Sequence, residues 1–289
     1  MKKIALGTVQ FGLDYGIANK SGQVSINEIQ NIFQCAKENA LDTLDTAIGY
    51  GESELRLGQV GVSQWEVVTK LPALPESIKD VKKWVRKTVN QSLVRLQVSR
   101  LKGLLLHKPD DLLHKQGDIL YRALEELKED GLVQKIGASI YGPEELNALC
   151  PSYNLDIIQA PFSIFDRRLK ESGWMSRLSN QGVEIHVRSV FLQGLLLMSS
   201  KSRPSQFKRW DPLLSKWDAW LLESGISPLQ ACLGYVLPEL KIDRVIVGVD
   251  SLEQLNDILN TIKKTTPEIP EYFQCDDIDL INPSRWDNR

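Results

Sequence analysis

Short apolar runs alternate with amphipathic helical segments along the whole chain, and this alternation limits the possible folds more than any other feature. Strands are expected at 3–9, 43–47, 66–71, 101–107, 135–140, 156–162, 183–190 and 244–249. Each run is continuous in apolar character rather than strictly alternating, as expected of parallel strands covered by helices. Between them, Ser25 stands as an N-cap before a helix over 26–39 whose Ile29, Ile32, Phe33 and Ala36 share one face. A second helix over 78–97 carries Val81, Val85, Val89 and Leu93 at every fourth position, and a third over 119–128 stops at Gly131. Further helices begin near 142, 166, 227 and 251. Strand–helix units repeated eight times without a compositional break predict an α/β protein of a single domain, a (β/α)8 TIM barrel over residues 1–289. A doubly wound open sheet usually carries a GxGxxG turn after its first strand, and this chain has none.

Two segments exceed the barrel frame. Residues 199–224 are too long for a tight connection after the seventh strand and are expected to form an insertion or lid near the active-site mouth. The tail at 265–289 is polar, carries Pro267, Pro270 and Pro283, and is expected to wrap the surface or partly fray.

Composition narrows the function classes. At 289 residues, 42% hydrophobic and with a net charge of −2, the chain can fill a large core and offers no basic surface for nucleic acid. Its apolar runs are too short for a membrane span, and the N-terminus lacks the apolar stretch of a signal peptide, so a cytoplasmic protein is expected. Cys35, Cys150, Cys232 and Cys275 are widely spaced and form no CxxC pair, which predicts reduced thiols and no metal site.

Chemistry in a β/α barrel gathers at the carboxyl ends of its strands. There Asp45 ends the second strand, Tyr50 follows in the loop, Lys70 ends the third strand and His107 the fourth. Singly, each has a structural explanation: an Asp caps a turn, a Tyr packs over the barrel mouth, and a strand-end Lys is solvated. The four together, with LDTAIGYGESELRLG, VVTK, LLLHKPD, KIGAS, IIQAPFS and VIVGVDSLEQL, make the sequence resemble the aldo/keto reductase superfamily from LGTVQFG to about residue 260. The preamble LGTVQFGLDYGIAN resembles that of bacterial members, some of them encoded beside sugar-modifying enzymes.

The resemblance implies a nicotinamide-dependent oxidoreductase that reduces an aldehyde or ketone, with Asp45, Tyr50, Lys70 and His107 as its catalytic set. Carbonyl reduction needs an acid within reach of the oxygen, the role of Tyr50, and a nearby ammonium, Lys70, stabilises the phenolate as charge develops. Asp45 would offset the desolvation of Lys70, and His107 would polarise or relay at the oxygen. Ser139 and Gln159 would meet the nicotinamide carboxamide, although Ile140 stands where the family often has Asn. Arg188 stands where the family often places an aromatic ring under the nicotinamide. It would stack there, bind an anionic substrate, or have no role.

Gly248, Ser251, Gln254 and Asp257 would hold the adenosine end, with NADP as the family default. The absence of Lys or Arg between Ile246 and Asn260 keeps NAD open. Two other function classes remain: a nucleotide-binding regulatory module with little turnover, and a Schiff-base enzyme using Lys70. The partner implied is a small carbonyl compound.

Overall fold

The structure is a computed structural model that describes residues 3–286; residues 1–2 and 287–289 of the expected domain and tail lie outside the described residues. Eight strands form a closed barrel: β1 (Ile4–Gly7), β2 (Thr43–Asp45), β3 (Glu66–Leu71), β4 (Leu101–Leu106), β5 (Val133–Ser139), β6 (Ile157–Pro161), β7 (Glu184–Arg188) and β8 (Arg244–Gly248). Each pairs in parallel with the next, and β8 closes on β1 with Gly7 opposite Gly248. Every expected strand is present: β3 has its expected bounds, β5 starts two residues earlier, at Val133, and the others are shortened at the ends where the chain turns out of the sheet.

The helices are α1 (Val9–Gly12), α2 (Ile26–Glu38), α3 (Ser53–Val60), α4 (Val81–Leu96), α5 (Gly117–Glu129), α6 (Glu144–Leu149), α7 (Arg168–Glu171), α8 (Trp174–Asn180), α9 (Asp211–Ser224), α10 (Pro228–Val236), α11 (Leu252–Thr261) and α12 (Ile278–Ile281). Ser25 caps α2 through a bond from the Glu28 N–H, and Ile29, Ile32, Phe33 and Ala36 are the face it buries. The expected helix at 78–97 starts three residues later, because Asp80 is the residue that caps it. None of the helices among the described residues is long and apolar enough to cross a membrane.

Two hydrophobic cores follow from the closed sheet. The larger lies between the strands and the helices, and a small one of Val68, Leu105 and Ile157 fills the barrel. Gly103 and Gly137 make room for it, since a Cβ on Gly103 would stand 2.8 Å from Ile157 Cδ1 and one on Gly137 2.8 Å from Leu105 Cδ2. Side chains alternate along a strand, so the residue two positions beyond each of these also points inward, one layer nearer the carboxyl end. Those residues are Lys70, His107 and Gln159.

The two added segments pack on each other. Residues 199–224 form short 3-10 turns and then α9, whose Trp217 and Trp220 bury against Phe273 of the tail at ring-centroid distances of 5.4 and 5.5 Å. The tail packs onto the barrel at Phe273, Leu280, Ile281 and Trp286, which are buried. Enough apolar surface is spaced along it to offset the ordering of a polar chain.

Candidate active site

Asp45 and Lys70 form a buried ion pair at the carboxyl end of β2 and β3. The Lys70 ammonium donates to Asp45 Oδ2 at 2.7 Å, Asp45 Oδ1 at 2.9 Å and the Thr46 carbonyl at 2.9 Å. Lys70 is only 1% exposed and Asp45 5%, so each charge has the other as its main partner rather than water. Burial alone would pull the Lys70 ammonium down, but the charge and hydrogen bonds of Asp45 outweigh it and hold the group above its ordinary value. Lys70 stays charged.

Tyr50 lies over this pair, its ring centroid 5.1 Å from Lys70 Nζ. The loop bearing it is fixed by two close approaches. A Cβ on Gly12 would come within 1.9 Å of the Tyr50 carbonyl oxygen, and Gly51 takes φ +55°, a left-handed turn that a side chain resists. Behind it, buried Glu54 anchors α3, accepting from Thr69 Oγ1 and Ser92 Oγ at 2.7 Å each and pairing with Arg95 at 2.6 Å. His107 meets the Tyr50 ring edge-on, centroids 5.9 Å apart. Desolvation, then the positive charges of Lys70 and Arg188, push its imidazole down to about 4, so the ring is neutral at neutral pH.

Ser139, which ends β5, sits beside Gln159 in the middle of β6. Ser139 Oγ donates to Gln159 Oε1 at 3.1 Å, and Gln159 Nε2 donates to Asp45 Oδ1 at 2.6 Å, which ties them to the ion pair. At the end of β7, Arg188 donates to the Ile140 carbonyl at 2.9 Å and to Ser189 Oγ at 3.2 Å, and its guanidinium lies 4.9 Å from the Tyr141 ring centroid.

Asp45, Tyr50, His107, Ser139, Gln159 and Arg188 line one cleft of about 570 Å³, with Lys70 beneath it, that runs on to Gly248 at the end of β8 and to Gln254 and Asp257 of α11. Ser251 does not line it. Its hydroxyl caps α11 by accepting from the Gln254 N–H, and the residue before it, Asp250, faces the cleft instead. Residues 199–224 do not line it either; Trp217 and Trp220 are committed to the aromatic cluster, and the loop before them contributes Phe191, Gln193 and Leu197.

Sequence reasoning missed Gln10, Tyr15, Tyr141, Gln193 and Asp250 as lining residues. Gly248 admits Gln10, whose Nε2 would be 2.4 Å from a Cβ there. Gln10 Oε1 and one oxygen of Asp250 are buried with no hydrogen-bond partner among the described residues. The cleft is of ligand size and its far wall lacks hydrogen-bond donors that a ligand would bring.

Residues 3–279 match the Aldo/keto reductase family. An uncharacterized oxidoreductase of Bacillus subtilis (strain 168) is 24% identical over 278 residues, 89% of this chain and 90% of that protein. A glyoxal reductase of the same organism is 25% identical over 198 residues, 64% of this chain and 70% of its own. Among solved structures, an aldo-keto reductase from Bacillus halodurans in its holo form superposes with a TM-score of 0.72 at 21% identity, covering 99% of this chain and 94% of its own.

Proposed function

The chain belongs to the aldo/keto reductase family and is an oxidoreductase of that family, and from this premise we propose that it reduces an aldehyde or ketone to an alcohol with a nicotinamide dinucleotide, Tyr50 giving the proton. The observation that carries the reading is the Asp45–Lys70 pair sealed beneath Tyr50, with the neutral His107 ring at its edge.

When bound, the cofactor supplies hydride to the carbonyl carbon. The Tyr50 hydroxyl gives its proton to the carbonyl oxygen, and the phenolate that remains is stabilised by the charged Lys70 below it. Asp45 keeps that ammonium charged and in place. His107, neutral, has an N–H to offer the same oxygen without adding a positive charge beside Lys70. Tyr50 is half-buried and recovers its proton from solvent. In the oxidative direction the same phenol accepts the proton.

Ser139 and Gln159 would hold the carboxamide, and Gly248, Gln254 and Asp257 the adenosine end. The unpartnered oxygens of Gln10 and Asp250 suit the hydroxyls of a ribose. NADP is the default from the family, while Asp250 and Asp257, with no Lys or Arg lining that end among the described residues, favour NAD as its competitor. Lys70 is a poor candidate for Schiff-base chemistry, because its charged form is stabilised and an amine must lose its proton to attack.

The test is titration with NADH and NADPH by tryptophan fluorescence, followed by a panel of aldehydes and ketones under the tighter one. Consumption of the cofactor by at least one carbonyl is expected. Binding without turnover of any compound overturns the reading in favour of a regulatory module.

A further inference from the structure

Arg188 is the sole Lys or Arg among the residues lining the cleft, and it makes no ion pair among the described residues. Of the five N–H donors of a guanidinium, its two hydrogen bonds use one on each terminal nitrogen, and both acceptors are neutral. The other charges at this end are already balanced or absent: Asp45 is matched by Lys70, and His107 is neutral. Asp166, whose carboxyl feels the Arg188 charge, is itself paired with Arg168 at 2.8 Å. The catalytic end of the cleft thus carries one uncompensated positive charge, while its far end carries Asp250 and Asp257.

The guanidinium is also held rigidly. Its carbon lies over the Tyr141 ring, 4.9 Å from the centroid, and Arg168 fixes the Tyr141 backbone by donating to its carbonyl at 2.9 Å. Ser189, which accepts from Arg188, takes φ +61°, a left-handed conformation that is uncommon without glycine. The left-handed Ser189, the Tyr141 ring beneath the guanidinium and the Ile140 backbone acceptor together aim a planar fork that still has unused donors. Such a fork matches the paired oxygens of a carboxylate or a phosphate.

We propose that Arg188 is the oxyanion anchor of the substrate site, so that the carbonyl compound reduced at Tyr50 and His107 bears a carboxylate or a phosphate ester. This rests on the reductase reading above. Arg188 would set specificity by binding a part of the substrate that does not react, which positions the carbonyl for Tyr50.

The test uses matched pairs. Glyoxylate, succinate semialdehyde and 4-formylbenzoate are each compared with their methyl esters, and glyceraldehyde 3-phosphate with glyceraldehyde. For each, the dissociation constant on protein loaded with oxidised cofactor is measured by calorimetry, and kcat/KM with the reduced cofactor. At least one anion is expected to bind tenfold or more tighter than its neutral partner, and the preferred pair tells carboxylate from phosphate. In Arg188→Gln that ratio is expected to fall by about 10- to 100-fold, the range for a hydrogen-bonded charge pair, and Arg188→Lys is expected to retain part of it.

Equal binding of every pair overturns the inference. So does a preference that survives in Arg188→Gln, or a variant whose only loss is cofactor affinity. If an anion binds through Arg188 but no pair member is reduced, the anchor stands and the reductase reading falls. Reduction of neutral and anionic members alike leaves the reductase reading standing and removes the anchor.

Discussion

Lys70 Nζ lies 2.7 Å from Asp45 Oδ2, and the two side chains are sealed from solvent beneath the Tyr50 ring. A buried ion pair of this kind is costly to break from one side, because the surviving charge has no water to turn to. Asp45→Asn is therefore expected to lose about 3–5 kcal/mol of stability, read by denaturant titration, besides activity. Lys70→Met removes the ammonium and leaves the carboxylate, so it too is expected to destabilise; either variant melting like the parent would show that the pair is not the structural keystone described.

Tyr50→Phe tests the acid separately from the fold. The ring remains against His107 and Lys70, and only the hydroxyl is lost. The expected result is a fall in kcat of about 10²- to 10⁴-fold, the worth of a positioned general acid, with the cofactor dissociation constant unchanged. Activity near that of the parent would assign the proton to another group.

The pH dependence of stability should report His107. An imidazole in the unfolded chain takes its proton near 6.5, whereas in the folded protein His107 holds off until about 4. Between these values the unfolded chain binds more protons than the folded one, so this contribution to stability is complete above pH 6.5 and is lost as pH falls towards 4. A plot of melting temperature against pH over that window is expected to be steeper for the parent than for His107→Gln. Parallel plots would mean that the folded environment leaves the imidazole unperturbed.

Much of this architecture is legible in the residues because a barrel strand is buried on both faces. Runs such as VIVG and GLLL are unbroken by charge, and the inward layer two residues beyond Val68, Leu105 and Ile157 is where Lys70, His107 and Gln159 stand out as polar. What the pattern does not reveal depends on contacts distant in the chain. Ser251 and Asp250 both follow β8, and only the cap bond to the Gln254 N–H decides that Ser251 turns to the helix and Asp250 to the cleft. Ser189, Leu192 and Gln193 all adopt positive φ without being glycine, so turn chemistry gives no warning of the loop that brings Gln193 to the Tyr15 hydroxyl at 3.0 Å. The tryptophans of α9 signal burial, but nothing in their spacing says that the tail would be their partner rather than the cleft.

Asp250 bears on cofactor choice. One of its oxygens is buried with no hydrogen-bond partner among the described residues, and desolvation pushes its carboxyl above the ordinary range. In the proposed binding mode it stands near the ribose that carries a phosphate in NADPH and a hydroxyl in NADH. Removing its charge relieves repulsion of the phosphate and removes an acceptor for the hydroxyl. Asp250→Ser is expected to shift the ratio of the two dissociation constants towards NADPH by about tenfold or more, measured by fluorescence titration. An unchanged ratio would place the adenosine ribose elsewhere.

Phe273 ties the tail to the insertion. Its ring packs on Phe165, Trp217, Trp220 and Tyr272 at centroid distances from 4.7 to 6.2 Å, and it is fully buried. Just before it, Arg167 donates to the Pro270 carbonyl at 2.8 Å; beyond it, Trp286 meets Phe207 at 4.8 Å, and Pro283 and Ser284 reach the cleft wall. Truncating the ring opens a cavity in the centre of this cluster, at a cost of about 3–5 kcal/mol. Because the same segment lines the cleft, Phe273→Ala is expected to raise the cofactor dissociation constant as well as lower the melting temperature. Loss of stability with unchanged cofactor binding would show that the tail holds its cleft residues through α12 and the Trp286 contacts alone.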